Sequence, residues 1–412
     1  MNDDEIYSSI QINKINKTEK DKYGEVFTSY ELIEEMINVL PKNSWNDPNK
    51  KWLDPAAGNG HFIAILYVKL LHGLKNAIPS LQKRKKHIIE NMLFMVEINP
   101  KNVNYLKKLL GKNANICLGD FLDPSEKWKS DLGTSSFDVI VGNPPFQTPK
   151  TKSYQGSVGN RTLWNKFLEL IFHNKIIKPK GFLGFITPAN WRRPEHELYS
   201  LLTQTNHMQY LHIYSKKDGL LKLGAQTRFD LYIIQEGTHK KKTHIIDEIG
   251  KKHTIDLHKW PFLPNYHYQK IYKILVPKEH GINVLFHAGV YDARKLSKKK
   301  TRKNRHPIVH NITQRGLGLK YAKNKNDHFG ISKVLLNFNE KQYPYNDYKG
   351  TYGMSQLTFG IPIHSKKQGD KIIKAINSDD FKEILKATKW SSFQTDYRMF
   401  FYFKKKFYDD IQ

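Results

Sequence analysis

One cysteine, Cys117, stands in 412 residues, which excludes an intramolecular disulfide and any cysteine-built zinc site. It lies in the apolar run Ile116-Cys117-Leu118 and reads as a small buried hydrophobe. Acidic residues are scarce: 39 Asp+Glu face 67 Lys+Arg, giving a formal charge of +28 and a pI near 9.7. Such an excess points to a polyanion partner, with a lysine-rich background as the alternative, and no basic amphipathic helix suggests a membrane surface instead. No apolar run approaches membrane-spanning length, and Met1-Asn2-Asp3-Asp4-Glu5 lacks the basic and apolar regions of a signal peptide, so an intracellular, cytoplasmic protein is expected. Internal repeats, a metal-ligand cluster and a Pro-Asp…Glu-x-Lys pattern are also missing. The 39% hydrophobic and 12% aromatic content is that of a folded protein, long enough for one large or two ordinary domains.

Residues 1–22 are polar and predict a loosely packed arm. After Tyr23-Gly24-Glu25-Val26-Phe27-Thr28-Ser29, the spacing of Leu32, Ile33, Met36, Ile37 and Leu40 predicts a helix. Thr28 or Ser29 is placed to cap it, and a small loop before a helix N-terminus suits a carboxylate ligand as well as a plain cap. Trp52-Leu53-Asp54 then ends a strand, and Pro55-Ala56-Ala57-Gly58-Asn59-Gly60 leads into a helix running to about Leu74. Gly58 and Gly60 allow close approach of backbone to a ligand, but Ile63 stands where a dinucleotide-binding turn has its third glycine, which makes that reading poor. Asp54 is therefore read as a partner for a cationic ligand group.

The pattern repeats. Met92–Val96 predicts a strand ending in Glu97-Ile98-Asn99, and Ala114–Leu118 one ending in Gly119-Asp120-Phe121. Phe137–Val141 predicts a fourth, leading into Gly142-Asn143-Pro144-Pro145-Phe146. One polar residue at a strand end is usually a loop or helix cap. Four in order, Asp54, Glu97, Asp120 and Asn143, predict a mostly parallel sheet that gathers them along its carboxyl edge.

Pro144 and Pro145 fix two successive φ angles and bias Asn143 to an extended backbone, so this last loop is stiff. It offers a side-chain carbonyl, proline carbonyls and an aromatic plate, which suits an amino group on a flat base; an ordinary proline turn is the alternative.

With these motifs in view, the chain resembles the gamma class of S-adenosylmethionine-dependent N6-adenine DNA methyltransferases, in the order Gly24–Thr28, Leu53–Phe62, Asn143–Phe146 and a basic carboxyl half. The resemblance implies a Rossmann-like α/β methyltransferase domain followed by a basic α+β target-recognition domain. It implies S-adenosyl-L-methionine as cofactor, double-stranded DNA as partner, and compatibility with a cognate restriction endonuclease. Thr28, Asp54, Ala56, Gly58, Gly60, Glu97, Ile98, Asp120 and Phe121 are then expected around the cofactor. Asn143, Pro144, Pro145 and Phe146 form the expected catalytic loop, with Asn143 and the Pro144 carbonyl on the target amino group and Phe146 stacked on the flipped base. Ser29 stands where the family often has proline, and Leu220–Gln226 holds no aromatic for the second face of the base.

The expected domains are 1–22 as arm, 23–240 as catalytic domain and 241–412 as DNA-binding domain. Between Gly281 and Gly330, 12 Lys/Arg face 2 acids. Arg294, Lys298, Lys299, Lys300, Arg302, Arg305 and Arg315 are the expected DNA contacts, a solvated charge run being the alternative. Base readout is assigned to Thr313–Gly316 and Tyr352–Gln356. Ser378–Lys389 predicts an amphipathic helix and Phe400–Phe403 a short strand or packing edge. Two further functions fit the same motifs: methyl transfer to RNA adenine or protein glutamine, and a catalytically silent DNA-binding module.

Overall fold

Short apolar runs that alternate with amphipathic segments build a parallel sheet with helices over both faces. The structure is a computed structural model describing residues 28–148, 162–238, 241–286, 294–325, 327–339, 341–390 and 395–411. The expected arm and Gly24–Phe27 lie outside the described residues. The chain divides into one unit of Met1–Trp191 with Ser200–His258 and a second of Arg192–Tyr199 with Lys259–Gln412.

In chain order the first unit has α1 (Tyr30–Val39), β1 (Trp52–Asp54), α2 (His61–Gly73), α3 (Leu81–His87), β2 (Leu93–Glu97) and α4 (Pro100–Leu110). Then come β3 (Asn115–Leu118), α5 (Lys127–Leu132), β4 (Phe137–Gly142), α6 (Trp164–His173) and β5 (Ile177–Pro188). β6 (His207–Tyr214), α7 (Lys216–Leu223), β7 (Phe229–Gln235), β8 (Thr243–Ile246) and β9 (Lys252–Ile255) complete it. The sheet runs β3-β2-β1-β4-β5-β7-β6-β8-β9. Its first five strands are parallel, and β7 lies antiparallel between β5 and β6. Every residue of β1 and β2 is buried, as strands covered on both faces must be. The helices conform: α2 buries Phe62–Val68 almost all round, whereas α1 turns only Leu32, Ile33, Met36 and Ile37 inward. The carboxyl ends of β1, β2, β3 and β4 consequently share one edge.

The sheet extends beyond residue 240, where the second domain was expected to start, because β8 pairs with β6 and β9 with β8. Arg192–Tyr199 also departs from the expected division. Arg192 is fully buried, and its guanidinium donates to the Leu263 and Pro264 carbonyls (3.1 Å each) and to Asn265 Oδ1 (2.9 Å). Partners some 70 residues away leave no local pattern to read.

The second unit contains α8 (Tyr268–Ile274), β10 (His306–Thr313), β11 (Gly316–Ala322), β12 (Lys333–Asn337), β13 (Tyr345–Asp347), β14 (Gly353–Met354) and β15 (Thr358–Pro362). It ends in α9 (Lys366–Asn377) and α10 (Asp379–Ala387). Its strands form two three-stranded sheets, β11-β10-β14 and β13-β12-β15. α10 occupies the segment predicted as amphipathic, capped by Ser378 Oγ, which accepts from the Phe381 N–H. Phe400 and Phe403 sit in and after a 3-10 turn, Tyr397–Tyr402, where a strand was one expectation, and their rings pack against Phe381. Lys333, fully buried, donates to Asp347 Oδ2 (2.8 Å) and to the carbonyls of His328 and Ile331.

Candidate active site

Each strand of the parallel half delivers its last polar side chain to the carboxyl edge, and there the loops are hydrogen-bonded to one another. The Gly58 N–H after β1 donates to Glu97 Oε2 at 2.7 Å, while the Asn99 N–H donates to Glu97 Oε1 at 2.7 Å. The Gly119 N–H after β3 donates to the Glu97 carbonyl at 3.0 Å. Gly58 and Gly60 have φ of +52° and +84°, a region costly for other residues, and a Cβ on Gly60 would meet Leu106 Cδ2 at 2.5 Å. Between β1 and β4, a Cβ on Gly142 would stand 3.0 Å from Asp54 Oδ1. The glycines are thus required by conformation and by close approach.

Asp54 is 1% exposed; its Oδ1 accepts from the Ala56 N–H at 3.1 Å, and its Oδ2 is buried without a partner among the described residues. Burial pushes its carboxyl up to about 7; the Ala56 N–H opposes that and the nearby Glu97 charge adds to it. A cation beside Oδ2 would reverse the effect. Beyond Glu97, Ile98 is 39% exposed, an apolar side chain left open at the edge. Asp120 is exposed and its Oδ1 accepts from the Leu122 N–H at 2.9 Å, shaping the loop and leaving further acceptor capacity. Phe121 is placed in the core: it stacks between Trp128 (5.0 Å) and Phe167 (5.4 Å) and is 2% exposed. Its flat apolar ring finds a better fit among other rings than at an open edge, so Phe121 anchors the loop rather than lining it.

At the end of β4, Asn143 is held from across the chain: its Nδ2 donates to Thr28 Oγ1 at 3.0 Å. Thr28 is 5% exposed and stands two residues before α1. Asn143 Oδ1 is buried without a partner among the described residues. Pro144 is buried, and Phe146 is half-buried with one side packed on the core and its carbonyl accepting from the Leu163 N–H at 3.2 Å. Among the described residues no group of three or more His, Cys, Asp or Glu is placed to hold a metal ion, and no helix is long and apolar enough to cross a membrane.

The fastening of α1 is a feature that the sequence motifs did not reveal. Glu35 Oε1 accepts from Tyr210 OH at 2.9 Å and lies 2.5 Å from His212 Nδ1, while Oε2 accepts from Tyr214 OH. Burial alone would raise the Glu35 carboxyl; the His212, Tyr214 and Tyr210 contacts outweigh it and hold it below its usual range. The readable signal was the period-two spacing of Tyr210, His212 and Tyr214, which puts all three on one face of β6. On α7, which joins β6 to β7, Leu220 and Leu221 are 50% and 72% exposed, the apolar groups of the segment that has no aromatic for the second face of a base.

In the second unit Arg294, Lys298, Lys299, Lys300, Arg302 and Arg305 are exposed on one segment, tied to β11 by the Ser297–Tyr321 bridge. Lys298, Lys299, Lys300 and Arg302 have no ion-pair partner among the described residues. Arg315 is exposed at the opposite end of the β10–β11 hairpin, about 20 Å along the strands. Thr313–Gly316 is therefore an open turn. Tyr352–Gln356 is not: Met354 and Ser355 are buried and β14 pairs with β10, so much of that segment faces the core instead of a ligand.

A family model described as "Eco57I restriction-modification methylase" matches residues 66–219, which include Glu97, Asp120 and the Asn143–Phe146 loop. A curated Mycoplasma pneumoniae (strain ATCC 29342 / M129 / Subtype 1) protein described as "Uncharacterized adenine-specific methylase" is 24% identical over 304 residues, 55% of this chain and 71% of that one. Over these segments the chain is similar to restriction-modification and adenine-specific methylases. Solved structures agree on the fold. The DrdV–DNA complex matches with a TM-score of 0.54 at 12% identity, over 95% of this chain and 56% of that one. The type ISP restriction-modification enzyme LlaGI, a nuclease-deletion mutant with a DNA substrate mimic, gives 0.54 at 12% identity, over 91% and 53%. The chain spans little more than half the length of those two enzymes.

Proposed function

We propose that the chain transfers a methyl group from S-adenosyl-L-methionine to the N6 amino group of an adenine flipped out of duplex DNA. The observation that carries this reading is the pair of buried, partnerless acceptors, Asn143 Oδ1 and Asp54 Oδ2, at one sheet edge. A buried acceptor without a partner costs about 1–3 kcal/mol, and two at one edge suit ligands that supply donors.

The cofactor fits the donor set. Asp54 Oδ2 suits a cationic amino group, the Glu97 carboxylate at the head of β2 suits ribose hydroxyls, and the open Ile98 side chain suits an adenine face. Asp120 suits an exocyclic amino group, and Ala56, Gly58 and Gly60 let the backbone come close. When bound, the cofactor supplies an electrophilic sulfonium methyl.

The adenine N6 lone pair is delocalised into the ring and is a poor nucleophile. Asn143 Oδ1 and the Pro144 carbonyl accept both N–H bonds, favour a pyramidal nitrogen and aim its lone pair. Pro144 and Pro145 keep those acceptors rigid. Orientation of this kind supplies on the order of 7–11 kcal/mol. Flipping costs roughly a few kcal/mol, and stacking on the open side of Phe146 offsets about 1–3 kcal/mol of it. As the N–CH3 bond forms the S–CH3 bond breaks to leave the neutral thioether, and the cationic methylated nitrogen then gives its extra proton to solvent, so no general base is assigned. Arg294, Lys298, Lys299, Lys300, Arg302 and Arg305 neutralise phosphates, which sets affinity, and Arg315 stands apart for a second contact.

The test offers labelled S-adenosyl-L-methionine with duplex DNA, RNA or protein extract. Label in DNA, recovered as N6-methyladenine, supports the reading; label in RNA or protein alone overturns it.

A further inference from the structure

Asn143 can serve as an acceptor only in one of its two amide orientations. Turned over, it would present an NH2 group to an amino group, donor against donor. A backbone strand end does not choose between them, so the choice falls to what touches the amide. Thr28 Oγ1 lies 3.0 Å from Nδ2, with Oδ1 buried and partnerless on the other side.

We infer that Thr28 is a positioning residue whose hydroxyl sets the orientation of the Asn143 amide. The inference rests on the methyl-transfer reading above and deepens it. A hydroxyl carries one proton and two lone pairs, so it can meet either end of an amide. While its proton is free, Thr28 could donate to Oδ1 as readily as accept from Nδ2. Once an acceptor on the other side takes that proton, the hydroxyl can only accept, and Nδ2 must face it. Oδ1 is then committed to the target base. Thr28 stands at the head of α1, where the spare N–H groups and positive end of the helix favour an anionic group. A carboxylate bound there would accept the Thr28 proton in a hydrogen bond and thereby fix the clamp about Asn143. Cofactor occupancy and readiness for the base become coupled through one hydroxyl.

The packing supports a rigid relay. Thr28 is 5% exposed, and the Glu35 cluster fastens α1 to β6 about two helical turns further on. Neither end of the Thr28–Asn143 hydrogen bond can drift without moving an anchored element.

The test reads the amide directly in the 15N-labelled full chain. The Asn143 side-chain amide pair is identified as the signal that disappears in Asn143→Asp. Thr28→Val should move that pair and Thr28→Ser should restore it, and S-adenosylhomocysteine should shift it in the unsubstituted protein but not in Thr28→Val. An amide pair indifferent to Thr28→Val overturns the inference.

Single-turnover methyl transfer at saturating cofactor gives the second measurement. Removal of one such hydrogen bond predicts a roughly fivefold to tenfold slower step in Thr28→Val, with Thr28→Ser within about twofold. In an Asn143→Asp background both carboxylate oxygens accept, orientation no longer matters, and Thr28→Val should slow the step by less than about twofold. An equal slowing in both backgrounds means that Thr28 acts only through the cofactor, and the inference falls. Failure of the unsubstituted protein to methylate DNA would overturn the functional reading, while the amide measurement still judges the hydrogen bond.

Discussion

Asp54→Asn should make the ligand-free protein more stable at alkaline pH, against the usual outcome for a residue inside a site. The side chain is 1% exposed, one oxygen has no partner, and burial raises the carboxyl from 3.8 to about 7. A raised carboxyl pKa means that the folded state prefers the protonated form. Its contribution is intact below about pH 4 and is lost as pH rises through about 7. A rise of that size corresponds to about 4 kcal/mol above pH 7, of which roughly 1.5 kcal/mol is already felt at pH 5. The amide keeps the shape and the acceptor for Ala56 but cannot ionise. Urea unfolding at pH 5 and pH 8 should therefore show the difference between the two proteins moving by about 3 kcal/mol in favour of Asp54→Asn at the higher pH. Under the proposed function, S-adenosylhomocysteine binding runs the other way: it should tighten as pH rises through 7 in the unsubstituted protein and weaken with a flat profile in Asp54→Asn. A stability difference independent of pH would refute the buried, partnerless carboxylate.

Asn143→Ala should retain DNA affinity and lower methyl transfer by at least about 100-fold, read by filter binding and label incorporation, since it removes an acceptor used mainly in the transition state. Neutralising Lys298, Lys299 and Lys300 together should flatten the dependence of log affinity on log salt by about 0.9 for each phosphate no longer neutralised, and an unchanged slope would return that segment to a solvated role. Lys333→Ala should destabilise the second unit by roughly 3–5 kcal/mol, seen as a lower unfolding midpoint, because it strands Asp347 in the core. Glu35→Gln should lower the thermal midpoint and slow transfer together, since it loosens α1 and with it Thr28; a stable but slow variant would mean that the cluster acts on the chemistry by another route.

The parallel half was legible because its information is local. Each strand is a run of apolar residues closed by a polar one, and each helix carries its own spacing, so β1 to β4, α1 and α2 fell close to their predicted places. Phe121 was misassigned to the edge because a sequence shows that an aromatic follows a strand but not that Trp128 and Phe167 lie on either side of it. The same limit hid β8 and β9, whose pairing with β6 gives them their place, and the inclusion of Arg192–Tyr199 in the second unit. The basic segment was visible as composition. Its separation from Arg315 needed the register of the β10–β11 hairpin.

The site as built is a set of constraints more than a set of contacts. Glu97 accepts the Gly58 and Asn99 N–H groups, one on each oxygen, so the loops after β1 and β2 are fixed before any ligand arrives. A Cβ on Gly142 would crowd Asp54 Oδ1 at 3.0 Å, so the glycine lets β4 lie close to the β1 loop. Thr28 and Glu35 tie α1 to β4 and β6. Asp54 Oδ2 and Asn143 Oδ1, two of the buried atoms without a partner among the described residues, belong to side chains held by groups that are themselves held. A buried acceptor without a partner is costly, and under the proposed function an ammonium would relieve the first and an amino group the second.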